Sequence, residues 1–234
     1  GVSGVRVVWV SAGMAGQLLS WMQYSHCNTE WQRMQMAQKG KNGRTFAFGQ
    51  ELWYTRKKKK GRICMEIRKG TLKDLEAIAA VEAACFPAAE AATAEEFAGR
   101  LQQYGDHFWL LWEGKRLLAF VDGFCTDWPD LTDEMYADAS LHRENGAWQM
   151  IFGVNTIPAC RRQGYAGQLL QQAIADARAQ GRKGLVLTCK EALVHYYAKF
   201  GFVNEGVSGS THGGVVWYQM LACSPMVTSP IRSA

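Results

Sequence analysis

Trp148-Gln-Met-Ile-Phe-Gly-Val-Asn-Thr-Ile157, then Arg161-Arg-Gln-Gly-Tyr-Ala-Gly167, is the stretch whose reading decides the fold. The first run is apolar enough for a buried strand. The second brings a glycine to the mouth of a helix, where backbone N–H groups can crowd around an anion without a side chain in the way. Ala166, Leu169, Leu170, Ala173, Ile174 and Ala177 then recur at spacings of three and four, so one helix face packs on a sheet, and Gly181 stops it. The turn reads as a phosphate cradle. It holds neither the Gly-Lys-Ser/Thr of a nucleotide triphosphate loop nor Gly-x-Gly-x-x-Gly, which argues against triphosphate and dinucleotide ligands.

Outward from that stretch the pattern stays regular. Met65–Lys69 alternates as a first strand, and Thr71-x-x-Asp74 opens a helix through Leu75, Ile78, Val81 and Cys85 that ends at Phe86-Pro87. Thr93-x-x-Glu96 caps a second helix carrying Phe97, Leu101 and Tyr104. His107–Trp112 and Arg116–Phe124 form a hairpin, followed by a polar connection over 126–145. Gly184–Cys189 is a short apolar run suited to a parallel strand, Lys190–Phe200 is a helix closed by Gly201, and strands over 202–206 and 215–221 flank a Ser/Gly-rich loop. This order specifies α/β architecture with a mixed sheet.

Within 234 residues, 48% apolar and 20% charged, the composition is that of a globular protein, with no run long enough for a membrane helix. Seven scattered cysteines without a Cys-x-x-Cys pair argue for a reducing, cytoplasmic setting and against a disulfide framework or a zinc site; no metal is expected. Residues 1–64 carry 11 Lys+Arg against 2 Asp+Glu, whereas 65–234 carry 15 against 19. We therefore expect three parts: a basic leader over 1–64 outside the fold, a domain over 65–222, and a tail over 223–234. The Arg56–Lys60 run reads as a solvated linker, so nucleic acid is expected only through the leader, if at all.

Arg161-x-x-Gly164-x-Ala166 resembles the acetyl-CoA loop of the GNAT N-acetyltransferases, and the element order of 65–221 is similar to theirs. Leu141-His-Arg143, Arg161-x-x-Gly164, Glu191-Ala-Leu-Val194, Tyr197 and Lys199-Phe200 resemble the arylalkylamine (serotonin) N-acetyltransferases more narrowly. The resemblance implies a GNAT fold, with a mixed central sheet flanked by helices and splayed between its two central parallel strands. It implies acetyl-CoA as acetyl donor, attacked directly by a small-molecule primary amine, in a monomer or homodimer. Val154, Asn155 and Thr156 would offer backbone groups to the pantetheine arm. Arg162, Gln163, Gly164, Tyr165, Ala166 and Gly167 would hold the pyrophosphate. Tyr197 would be the general acid, and Phe86, Pro87, Met150 and Phe152 would line the amine pocket, with Trp128 as a further apolar wall.

Met150 and Phe152 stand where the family has two proton-carrying histidines, leaving Glu90, Asp122 and His142 as relay candidates. Gly153 is read either as the mark of a strand bulge or as a packing glycine. Two alternatives stay open: a non-catalytic acetyl-CoA-binding sensor module, and an acetyltransferase of peptide amines or polyamines.

Overall fold

The computed structural model describes residues 65–224. The basic leader and the end of the tail lie outside the described residues. Seven strands form one mixed sheet in the order β1-β2-β3-β4-β5-β7-β6: β1 (Met65–Lys69), β2 (Phe108–Glu113), β3 (Arg116–Thr126), β4 (Trp148–Thr156), β5 (Gly184–Cys189), β6 (Val203–Val207) and β7 (Tyr218–Cys223). Every neighbouring pair is antiparallel except β4 with β5. The last strand takes in Cys223, one residue past the expected domain end.

Both faces of this sheet are covered, which is why its central strands read as near-continuous apolar runs. On one face lie α1 (Leu75–Cys85) and α2 (Ala94–Tyr104), packing Ile78, Val81, Phe97 and Leu101 on Phe108, Phe120 and Phe124. On the other lies α4 (Tyr165–Ala179), whose Leu169, Leu170, Ala173 and Ala177 cover Leu111, Val121, Ile151 and Leu185. The spacing read from the sequence is the buried stripe. Asp176 fixes the helix to the sheet edge, accepting from Lys69 Nζ at 2.6 Å and Trp109 Nε1 at 2.7 Å.

The helix starts follow the residues expected of them. Thr93 and Glu96 form a reciprocal capping box on α2, and the Thr71–Asp74 box precedes a 3₁₀ turn that runs straight into α1. Two regions differ from expectation. The polar connection holds α3 (Glu134–Ala137) and a 3₁₀ turn, Ala139–Leu141. The helix expected over 190–200 is a 3₁₀ turn, Glu191–Leu193, followed by only a short α5 (Val194–Ala198).

Candidate active site

The sheet opens at its centre. β4 pairs with β5 only from Trp148 opposite Gly184 to Ile151 opposite Leu187, and the remainder of β4 has no partner on that side. The parting begins at a bulge: Asp122 pairs with Gly153 and Gly123 with Ile151, leaving Phe152 as the extra residue beside Gly153. The two strands approach so closely here that a Cβ on Gly123 would stand 1.8 Å from the Met150 carbonyl oxygen, so only glycine fits.

Past the bulge the backbone alternates. Ile157 N–H donates to the Leu118 carbonyl on β3, so by strand periodicity Val154 and Thr156 present their peptide groups to the opening. The Thr156 carbonyl accepts from Cys85 Sγ and Arg161 Nε, both at 3.3 Å. Asn155 points its backbone the other way, in register with Phe120, and contributes a wholly buried side chain instead.

At the end of this edge comes the turn into α4. Gly164, at φ 82°, is its N-cap, and the ladder begins with Gln168 N–H on the Gly164 carbonyl at 3.0 Å. The preceding amides are the orphan donors of a helix start. Arg161, Arg162, Gln163 and Gly164 are exposed, and Arg162 is itself held at φ 61°. Gly167 serves packing: a Cβ there would meet Phe200 Cζ at 2.9 Å. An exposed turn of amides with two arginines, beside an unpaired strand, can hold an anion on the turn and an extended amide chain along the edge.

A cavity of about 300 Å³ adjoins the opening. Phe86, Pro87, Phe152, Val154 and Tyr197 line it, together with Tyr136, His212 and Trp217. Met150 does not: its side chain is wholly buried in the core beneath. Trp128 is 72% exposed and also lies off the wall. Of the lining side chains, Glu82, Glu90, Glu96 and Asp122 are acidic against Arg100 and Lys190, so the field suits a cation. Glu90 is paired with Lys190 Nζ at 2.8 and 3.0 Å, and its carbonyl lies 3.2 Å from His212 Nε2. His212 stacks on Tyr136, and Trp217 Nε1 donates to the His212 carbonyl.

An acetyltransferase (GNAT) family model matches residues 75–202, from the start of α1 to the residue before β6. The chain belongs to the GNAT acetyltransferase family. Serotonin N-acetyltransferase of Mesocricetus auratus is 33% identical over 113 residues, 48% of this chain and 53% of that protein. The chain thus spans about half the length of the curated relatives it matches. The loading GNATL domain of CurA from Lyngbya majuscula superposes with a TM-score of 0.61 at 17% identity, covering 68% of this chain and 97% of its own. A GphF GNAT-like decarboxylase solved with isobutyryl-CoA gives 0.60 at 20% identity, covering 68% and 98%. Both share the fold.

In this member of the GNAT family Tyr197 is 6% exposed, edge-on to Tyr196 and Phe202, and burial pushes its phenol well above the ordinary value, so it keeps its proton. His195, two positions earlier, is exposed. Of the relay candidates, Asp122 is buried against Arg100 at 3.1 Å and Glu90 is paired as above, while His142 stands off the cavity. His142, His107 and Glu144 have ligand-capable atoms within 4.8 Å of one another, yet hydrogen bonds occupy them. Cys125 N–H donates to His142 Nδ1, leaving Nε2 as a donor to Glu144, and His107 Nδ1 donates to Gln149 Oε1. That cluster clamps the loop entering β4.

One residue that sequence reasoning passed over lies in the cavity wall. Glu82, 5% exposed, accepts from Ala92 N–H at 3.2 Å through Oε1, and its Oε2 has no hydrogen-bond partner. Burial, reinforced by the Asp122 charge, raises its carboxyl to about 7 against the opposing pull of Ala92 N–H, Arg100 and Asn155. Its signal in the sequence was a glutamate one position after Val81 on the apolar stripe of α1, where a charge needs a reason.

Proposed function

We propose that the protein transfers an acetyl group from acetyl-CoA to the primary amine of a small arylalkylamine-like molecule, by direct attack in one ternary complex. The observation that carries this reading is the unpaired β4 edge running into the amide turn at Gly164. Acetyl-CoA, when bound, supplies the thioester carbonyl to be attacked. Val154 and Thr156 would take its amide-bearing arm as an added strand, and the α4 amides with Arg161 and Arg162 would take its diphosphate. An N–H of the Val154 region would polarise the carbonyl oxygen.

The amine side is supported by the acid-rich, aromatic-walled cavity, which favours a cation carrying a ring. Tyr197, kept protonated by burial, would deliver a proton to the departing sulfur. Odd, scattered cysteines support a cytoplasmic site of action, and among the described residues no helix is long and apolar enough to cross a membrane.

The test is a thiol-release assay with acetyl-CoA against aromatic amines, polyamines, amino acids and aminoglycosides. Preference for aromatic amines supports the reading. Preference for polyamines or peptide amines replaces its substrate class, and acetyl-CoA binding without thiol release from any amine replaces it with a sensor.

A further inference from the structure

We propose that Glu82 is the proton acceptor for the incoming amine: its buried carboxylate stands in the cavity wall with Oε2 unpartnered, beside the β4 segment that lies open past the bulge. This rests on the acetyl-transfer reading above and supplies what Met150 and Phe152 cannot, since neither side chain carries a proton.

Three further observations point the same way. Asn155, wholly buried on β4, turns its side-chain amide towards the Glu82 carboxyl without completing a hydrogen bond to it or to any other group, and an added Cβ on Gly153 would lie 2.9 Å from Asn155 Nδ2 and 2.6 Å from Asp122 Oδ1. The bulge therefore gathers polar groups beneath the opening, at a depth where unpartnered atoms are costly and rare. The groups that could compete for the role are engaged: Asp122 on β3 is tied to Arg100 from α2, and Glu90 to Lys190. The charged and titratable groups facing Glu82 are Asp122, Arg100 and, on its own helix, Cys85. Their balance with burial places the carboxyl at about 7, poised to accept a proton at neutral pH and return it.

The proton count closes. An ammonium N–H passes to Glu82, and the freed lone pair attacks the thioester carbon. The C–N bond forms as the C–S bond breaks. Tyr197 gives its proton to the leaving sulfur and regains one from the nitrogen. Glu82 releases its proton to solvent with the products, which are an amide, a thiol and one proton.

The experiment is the pH profile of kcat/KM from pH 5.5 to 9, with tryptamine and a second aromatic amine of clearly lower pKa, on the wild type and Glu82→Gln. The wild type should fall tenfold per pH unit below about 7, with the same break for both amines, and stay level from there up to each amine's own pKa. Glu82→Gln should bind acetyl-CoA normally by calorimetry, lose about a hundredfold or more at pH 7, and climb tenfold per unit towards the amine's own pKa. A wild-type break that moves with the amine overturns the proposal, even if the variant does not fold. A variant that binds acetyl-CoA and keeps the level region above pH 7 overturns it too. In both cases thiol release still occurs, whereas its absence from the wild type with every amine removes the acetyl-transfer reading itself.

Discussion

Gly164 has φ 82° with nothing within 4 Å of the place a Cβ would occupy, so alanine there would be penalised by the backbone alone. That penalty is about 1–2 kcal/mol. Gly164→Ala should weaken acetyl-CoA binding roughly tenfold by calorimetry, with less effect on kcat at saturation. Tyr197→Phe keeps the packing on Tyr196 and Phe202 but removes the phenolic proton, so kcat should drop about a hundredfold at unchanged acetyl-CoA affinity. Glu82 carries a stability signature as well. Its folded value of about 7 lies above the ordinary 4.5, so its contribution is intact below about 4.5 and is lost as pH rises through 7. The loss is on the order of 3 kcal/mol. Urea unfolding should therefore find Glu82→Gln more stable than wild type at pH 8.5 and close to it at pH 5, the reverse of its effect on activity.

Among elements, the loop before β7 is the least legible in the sequence, because its conformation comes from distant partners. Asp133 accepts from Ser210 Oγ, from Thr211 N–H at 2.9 Å and from Thr211 Oγ1 at 3.1 Å, and these bonds hold His212 and Trp217 over the cavity. Asp133→Ala should raise KM for the amine several-fold while leaving acetyl-CoA affinity alone, as steady-state kinetics and calorimetry would show. The shortness of α5 has a similar origin. Tyr196, Tyr197 and Phe200 have the helical spacing that suggested a longer element, but aromatic packing on Phe202 and Gly167 needs only about one turn. By contrast α4 and the central strands matched their patterns, since α4 buries a periodic stripe that only one orientation can satisfy and the central strands are apolar runs covered on both faces.

Across the whole molecule, two apolar clusters on opposite faces hold a sheet that is continuous at one end and parted at the other. A ligand lying in the parting would join β4 to β5 and tie both to α4. At a hundred times Kd, acetyl-CoA should add about 2.7 kcal/mol to the unfolding free energy. Hydrogen exchange should slow at Val154, Thr156 and the first turn of α4, and much less in β1 and β2. Protection spread evenly over the sheet would place the ligand elsewhere.

Sequence alone determined the element order, the mixed α/β architecture and the glycine turn that opens α4, because periodicity, capping boxes and a glycine at a helix start are local and act through neighbouring residues. It also supplied Tyr197 by resemblance. Only the tertiary structure decided that Met150 sinks into the core while Phe152 reaches the cavity, that His142 belongs to a clamp at the far end of β4, and that Glu82 stands buried with a free oxygen in the cavity wall. The reason is physical: a bulge changes which side chains face the opening, and a carboxyl's proton affinity is set by burial and by charges from other strands and helices.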